Sequence, residues 1–477
     1  MSPASVSFPD WLASRAFTNP ERSALSVDGQ RWTYAQLDGE ATSLARKIAS
    51  FGVKRGDRVA TLLHNQAIAA ILPHALLRLG ATIVPLNVRL TDRELAWQVE
   101  NAAPRLMIVD ERTRSLIQQS AVKSVDVAHL AAADEADVGM RFDHPADFTL
   151  AIIYTSGTTG RPKGAILSVA NFWWSAIGSA LNLGVHDDDR WMLCLPMFHV
   201  GGLSIVMRAA IYGIEASILD GFDAARVNAG IDGGGTIVSV VAVMLDRMIE
   251  QRGNRPYPPT LRCVLLGGGP APSSLLERCE KLGIPAVQTY GLTETCSQVA
   301  TLSPDQARSH RGAAGKPIYP NAIRIRGGEI EVRGPIVMQG YFNEPEASSS
   351  AIRDGWLRTG DIGEIDSEGF LRVLDRREDL IVTGGENVYP AEVEAVLTAH
   401  DAVIEAAVVG SEDVTWGQRV VAFVRTSAPI DAESLDEHCR AALAGYKVPR
   451  EFRFVASPLP RTASGKVRRN ELRGATR

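Results

Sequence analysis

Apolar runs of strand length alternate with helical patterns through most of this chain. Arg58–Leu63 and Ala81–Leu86 read as strands with a helix, Ile68–Leu79, between them; Phe148–Tyr154, Trp191–Leu195, Thr236–Val241 and Cys263–Leu266 are further apolar runs. Runs that are apolar on both faces and separated by helices predict layered α/β structure with mostly parallel sheets. From about Ala322 the pattern changes. Ile323–Arg333, Ile362–Ile365 and Leu371–Leu374 are shorter, alternate more and are bounded by glycine, as in a small antiparallel sheet or β-barrel-like unit. The charged run Asp375–Asp379 then interrupts two apolar stretches and marks a boundary. Beyond it Pro390 opens a helix, Ala402–Val409 and Val420–Val424 read as strands, and Asp431 caps a helix expected to end at Gly445.

The expected organisation is therefore α/β. A large N-terminal domain over 1–375, with 322–375 as its small β subdomain, leads through a hinge at 376–379 to a small mobile α+β domain over 380–477. With 477 residues, of which 45% are hydrophobic and 22% charged, the chain can bury more than one core, which excludes a disordered or disulfide-scaffold protein. A net charge of −5 gives no global basic field to recruit nucleic acid or an anionic membrane. Cys194, Cys263, Cys279, Cys296 and Cys439 are odd in number and widely spaced, as expected of reduced thiols in the cytoplasm. Met1–Leu25 carries no signal-peptide pattern, and the most apolar window, Ala67–Leu86, contains Pro73, His74 and Arg78 and so reads as buried helix and strand rather than a membrane span. The segment from Lys447 to Arg477 holds nine Lys or Arg and two Glu, to be read either as solvated surface or as a mobile cationic segment that meets phosphates.

The strongest chemical signal is Tyr154-Thr-Ser-Gly-Thr-Thr-Gly-Arg-Pro-Lys-Gly164, a buried strand running into glycine and hydroxyl residues that end in Lys163. Glycines let backbone N–H groups approach an anion, hydroxyls add donors and lysine adds charge, the chemistry of a triphosphate cradle. Gly164 after the lysine separates it from the P-loop pattern.

This run resembles the phosphate-loop signature of the adenylate-forming superfamily: acyl- and aryl-CoA synthetases, luciferases and peptide-synthetase adenylation domains. Gly80–Leu86, Tyr290-Gly-Leu-Thr-Glu-Thr295, Gly355-Trp-Leu-Arg-Thr-Gly-Asp361, Gly384-Gly-Glu-Asn-Val-Tyr-Pro390 and Pro460-Arg-Thr-Ala-Ser-Gly-Lys466 resemble further motifs of that family in order. The resemblance implies a two-step reaction: a carboxylate attacks the α-phosphate of Mg-ATP to give an acyl-adenylate and pyrophosphate, and CoA then displaces AMP. It implies that Thr155, Ser156, Gly157, Thr158, Thr159, Gly160 and Lys163 cradle the phosphates. Gly267, Gly268 and Gly269, with Thr289, Tyr290 and Gly291, line the adenine side. Asp361 and Arg376 hold the ribose. Thr293 donates to the α-phosphate, and Glu294 holds Mg²⁺, which prefers carboxylate oxygen with phosphates and waters. Lys466 bridges carboxylate and α-phosphate, Gly384, Gly385 and Glu386 line the CoA tunnel, and Glu378 is the hinge about which the small domain rotates.

Substrate choice is expected between His199 and Ser297. Pro196–Arg208, Thr293–Gln298 and Thr415-Trp-Gly-Gln418 resemble the branch of acid–CoA ligases that acts on o-succinylbenzoate in menaquinone biosynthesis. Ser204 and Arg208 lie four apart on an expected helix and share a face. A buried arginine suits a second carboxylate on the substrate, with Thr295 and Ser297 as helping hydroxyls and His199 as gate to the carboxylate entrance. Another aryl- or short-acyl-CoA synthetase and a carrier-protein loader remain alternatives. No carrier domain follows Arg477 in this sequence. Expected partners are small molecules, with neither nucleic acid nor a membrane span, and a homodimer is compatible with the resemblance.

Overall fold

The computed structural model describes residues 6–117, 121–155, 162–269, 271–375, 380–460 and 467–474. Among them, two large sheets form the N-terminal domain. One has the strand order Lys163–Ser168, Thr149–Thr155, Thr82–Pro85, Arg58–Leu62, Leu106–Val109, Ser124–Asp126, and only its Lys163–Ser168 edge runs antiparallel. The other is nine-stranded, with a parallel centre that contains Arg190–Leu193, Ile237–Val240 and Cys263–Leu266 and antiparallel strands at both ends. Cys263–Leu266 is buried at every position, as a strand covered on both faces must be.

The helix Ala67–Leu79 is buried from Ala69 onward and stops at Gly80, whose φ of 68° makes the left-handed cap. No helix among the described residues is long and apolar enough to cross a membrane. The β subdomain is a five-stranded antiparallel sheet that includes Ala322–Arg326, Glu329–Arg333 and Trp356–Ile365.

In the small domain, Val403–Asp413 and Gly417–Thr426 form a long hairpin, and the free edge of Gly417–Thr426 pairs with Ile381–Thr383 at its start and with Glu451–Phe454 further along. Pro390–Thr398 and Ala432–Arg440 pack on it through Val393, Leu397, Leu435 and Cys439. Asp431 caps the second helix as expected, its side chain accepting from Ser434 N at 2.9 Å. That helix stops at Arg440 rather than Gly445. The residues after it turn away, and Ala444 and Tyr446 join an apolar cluster of the large domain that includes Leu90, Leu95 and Val99. Within the cationic terminus Arg450 and Arg468 are exposed, as solvated surface requires, but Lys447 is only 2% exposed and lies in an ion cluster described below. Glu378 and the rest of 376–379 lie outside the described residues.

Candidate active site at the domain junction

A cavity of about 250 Å³ opens between the two domains. From the large domain it is lined by Thr155, Gly267, Gly268, Thr289, Gly291, Thr293, Glu294 and Asp361, most of them at strand ends. Gly291 is required there, because a Cβ would lie 1.6 Å from the Ser297 carbonyl oxygen across the strand pair. Tyr341, which sequence reading did not single out, donates to Glu294 Oε1 at 2.8 Å, and its ring lies 5.4 Å from Lys163 Nζ. One aromatic ring thus fixes the carboxylate and backs the lysine, though Lys163 itself stands behind the lining. Tyr290 also stands behind it. Its ring is buried, and its hydroxyl donates to Asp361 Oδ2 at 2.7 Å, so it orients the aspartate rather than closing the cavity. Gly269 lies outside the lining, against Val382 of the small domain. Ser156, Gly157, Thr158, Thr159, Gly160, Arg376 and Lys466 fall outside the described residues.

One wall of the cavity, where the sequence places substrate choice, is built on the helix Val200–Tyr212, whose cap residue is His199. Helical side chains lean toward the N-terminus, and Arg208 has the length to reach back to the cavity from two turns along. It is 2% exposed. Its Nη2 donates to Ser175 Oγ at 3.0 Å, and its guanidinium lies 5.6 Å from the Trp191 ring centroid. Its Nε is buried without a hydrogen-bond partner, and no carboxylate among the described residues is within ion-pair distance. Burial lowers its pKa from the ordinary arginine value, countered in part by Tyr212 and Cys296. Ser204 is on the same face but does not reach the cavity: its short side chain is buried in the helix packing, with its hydroxyl unpartnered.

Thr295 is likewise not a cavity residue. Its hydroxyl bonds the Leu292 N–H at 3.0 Å and the Leu292 carbonyl, closing the short 3-10 turn Thr293–Thr295. Ser297 does line the cavity. It follows Cys296 in a left-handed stretch, φ 50° then 94°, which is strained for side-chain-bearing residues. Ser175 Oγ donates to the Cys296 carbonyl at 2.7 Å and helps hold that turn.

The small domain contributes Gly384, Gly385 and Glu386. The glycines have φ of 57° and 86°, a turn open to glycine that carries Glu386 into the cavity. Glu386 is 3% exposed. Its Oε1 pairs with Arg89 at 2.7 Å; its Oε2 lies 3.2 Å from His199 Nε2 and accepts from Asn87 at 3.3 Å. Burial alone would raise the Glu386 pKa, yet His199 and then Arg89 and Lys447 hold it below the ordinary glutamate value. Arg89 and Asn87 carry no local sequence signal. Only the approach of the second domain gives them a role.

Threonine hydroxyls, a carboxylate fixed beside them and a second domain bearing on the junction make a site suited to a nucleotide-dependent ligase. The chain matches the family model for AMP-binding enzymes over residues 12–342 and the model for the AMP-binding enzyme C-terminal domain over 392–466, and it belongs to that family. It is 49% identical to a 2–succinylbenzoate–CoA ligase of Geobacillus kaustophilus, covering 98% of each chain. It is 47% identical to one from another Geobacillus strain, covering 98% of this chain and 97% of the relative. Among solved structures it superposes on a double mutant of o-succinylbenzoate CoA synthetase from Bacillus subtilis bound to a product analogue, with a TM-score of 0.95 and 41% identity over 98% of both chains. The same relative with its acyl-adenylate intermediate gives 0.77 over the same coverage. The same protein fits well in one state and less well in the other, so this chain holds its two domains in the arrangement of the product-analogue complex.

Proposed function

We propose that the chain is an ATP-dependent acid–CoA ligase that forms o-succinylbenzoyl-CoA through an acyl-adenylate. In the first step a carboxylate oxygen bonds to the α-phosphorus and pyrophosphate leaves. In the second the CoA thiol bonds to the acyl carbon, AMP leaves and the thiol proton is released. Such displacement needs alignment and charge neutralisation more than covalent help. Thr155, Thr293 and Lys163 supply donors and charge to the phosphates, Asp361 accepts from ribose hydroxyls, and Gly267 and Gly268 bring backbone close to the base. Glu294 fits Mg²⁺, its carboxylate being fixed by Tyr341 in a cavity where phosphates and water would complete the shell. The ion would neutralise phosphate charge. His199, at the mouth of the acyl end, turns its ring toward Glu386 in this arrangement and so leaves the path of the acyl carboxylate to CoA.

The observation that carries the substrate is Arg208: a guanidinium taken out of water with no carboxylate partner, at the wall of the same cavity as Glu294 and Asp361. Burying a charge unpaired is costly, and a substrate bearing a second carboxylate supplies the missing partner. o-Succinylbenzoate has two, the succinyl one to be activated and the ring one to be recognised. Five free buried cysteines support a reducing, cytoplasmic setting. The test is incubation with o-succinylbenzoate, ATP, Mg²⁺ and CoA, followed by mass analysis. The o-succinylbenzoyl thioester with one AMP per product supports the reading; adenylate or thioester from other acids alone overturns it.

A further inference from the structure

A second ionic contact crosses the domain junction outside the lining of the cavity, though near enough for Lys447 to act on the Glu386 charge. Lys447 of the small domain donates to Glu94 Oε1 of the large domain at 2.5 Å and to Glu392 Oε1 of its own domain at 2.8 Å. All three side chains are at least nine-tenths buried. Ala444 and Tyr446 belong to the same apolar cluster as Leu95, Val99 and Ala102 of the helix Asp92–Ala102 that carries Glu94.

Both partners of the cross-domain bond are provided for without each other. Glu94 uses its other oxygen, Oε2, to accept from Thr91 N and Thr91 Oγ1, each at 2.8 Å, closing the capping box of its helix. Lys447 keeps Glu392 wherever the small domain goes, since the two belong to the same domain. The Lys447–Glu94 bond can therefore open without orphaning a charge and close with a gain. The Arg78–Asp10 pair in the large domain is different: both residues belong to one core, and neither can leave it. Burial of the Lys447–Glu94 bond limits its net worth, because desolvation offsets much of the attraction. A contact that must break once per turnover needs that modest value. Glu392 reflects the crowding: burial raises its pKa, and Lys447 offsets this only in part.

We propose that Glu94 and Lys447 are a positioning pair, a reversible latch that holds the domains in the thioester-forming arrangement, with Glu392 keeping Lys447 compensated when the latch opens. This rests on the two-step reaction proposed above and on the match of this domain arrangement to the product-analogue complex. Glu94→Gln isolates the effect, because glutamine also closes a capping box: the helix end is kept and only the charge is lost.

The experiment measures the two half-reactions separately on the full chain. Pyrophosphate release reports adenylation, and single-turnover mixing of preformed adenylate with CoA reports thioester formation. Glu94→Gln and Lys447→Met are each expected to slow the thioester step by about tenfold, the scale of one charge-assisted hydrogen bond, with adenylation retained. The double variant is expected to be no slower than the slower single. Retained adenylation also reports that each variant is folded. Equal slowing of both half-reactions, no slowing of either, or additive losses in the double variant would overturn the latch. All variants are run with whichever acid the wild type activates. Failure of o-succinylbenzoate in the wild type therefore sinks the substrate assignment, while the latch is still read on the acid that works.

Discussion

Arg208→Met separates stability from recognition at one side chain. In the free protein the Arg208 guanidinium has lost its hydration, keeps one hydrogen bond to Ser175 and leaves Nε unpaired. Methionine has a similar length, still covers Trp191 and removes that desolvation cost, and apolar replacement of a buried charge is often neutral or stabilising. The thermal midpoint of Arg208→Met is therefore expected to match or exceed that of wild type. Recognition moves the other way. The charge-assisted contact to the ring carboxylate is worth about 1.5–3 kcal/mol, so kcat/KM for o-succinylbenzoate is expected to fall roughly 10- to 150-fold. For an analogue without the ring carboxylate the fall should be much smaller, and Arg208→Lys should rescue only in part, because an ammonium lacks the planar fork. Ser175→Ala is the control. It loosens the strained Cys296–Ser297 turn and should cost both acids alike. The assay is a double-mutant cycle of acid against variant, read by pyrophosphate release, with melting curves for each protein. A lower midpoint together with equal losses for both acids would refute the reasoning and make Arg208 a structural strut.

Two further outcomes follow from the same geometry. The Glu386 carboxylate is held below its ordinary pKa of 4.5 in the folded chain, so its contribution to stability is present above that value and is lost as pH falls through the lowered folded pKa. The midpoint difference between wild type and Glu386→Gln should therefore narrow below about pH 4.5, and a gap unchanged by acid would contradict the assigned cause. Lys466→Ala, at the Ser-Gly-Lys motif, should abolish adenylation while sparing thioester formation from supplied adenylate; equal loss in both would show that Lys466 serves both domain arrangements.

Strand and helix faces were legible in the sequence, whereas most side-chain pairings were not. Cys263–Leu266 appears in the structure with the bounds its apolar run suggests, because a strand buried on both faces needs apolar residues throughout. Ser204 and Arg208 share a helix face as their spacing requires, but spacing carries no side-chain length, and only the arginine reaches the cavity. Thr295 looked available to substrate, yet a hydroxyl beside a tight turn is taken by backbone two or three residues away. Arg89 and Asn87 read as ordinary polar residues after a strand, and their partner Glu386 lies 297 and 299 positions on. The Lys447–Glu94 bond spans 353 positions, and the local pattern around Lys447 allowed either a solvated surface or a phosphate-meeting segment, not a buried ion pair. Such contacts arise when separately folded cores meet, which no periodicity within either core encodes.

The central claim is that this cavity activates an acid carrying a second carboxylate and passes it to CoA. Its most direct test is pyrophosphate release by the wild type across a panel of o-succinylbenzoate, benzoate, short-chain and long-chain fatty acids, with thioester product measured with and without CoA. The account predicts the highest kcat/KM for o-succinylbenzoate, with thioester only when CoA is present. Equal or greater efficiency with an acid bearing a single carboxylate would contradict it.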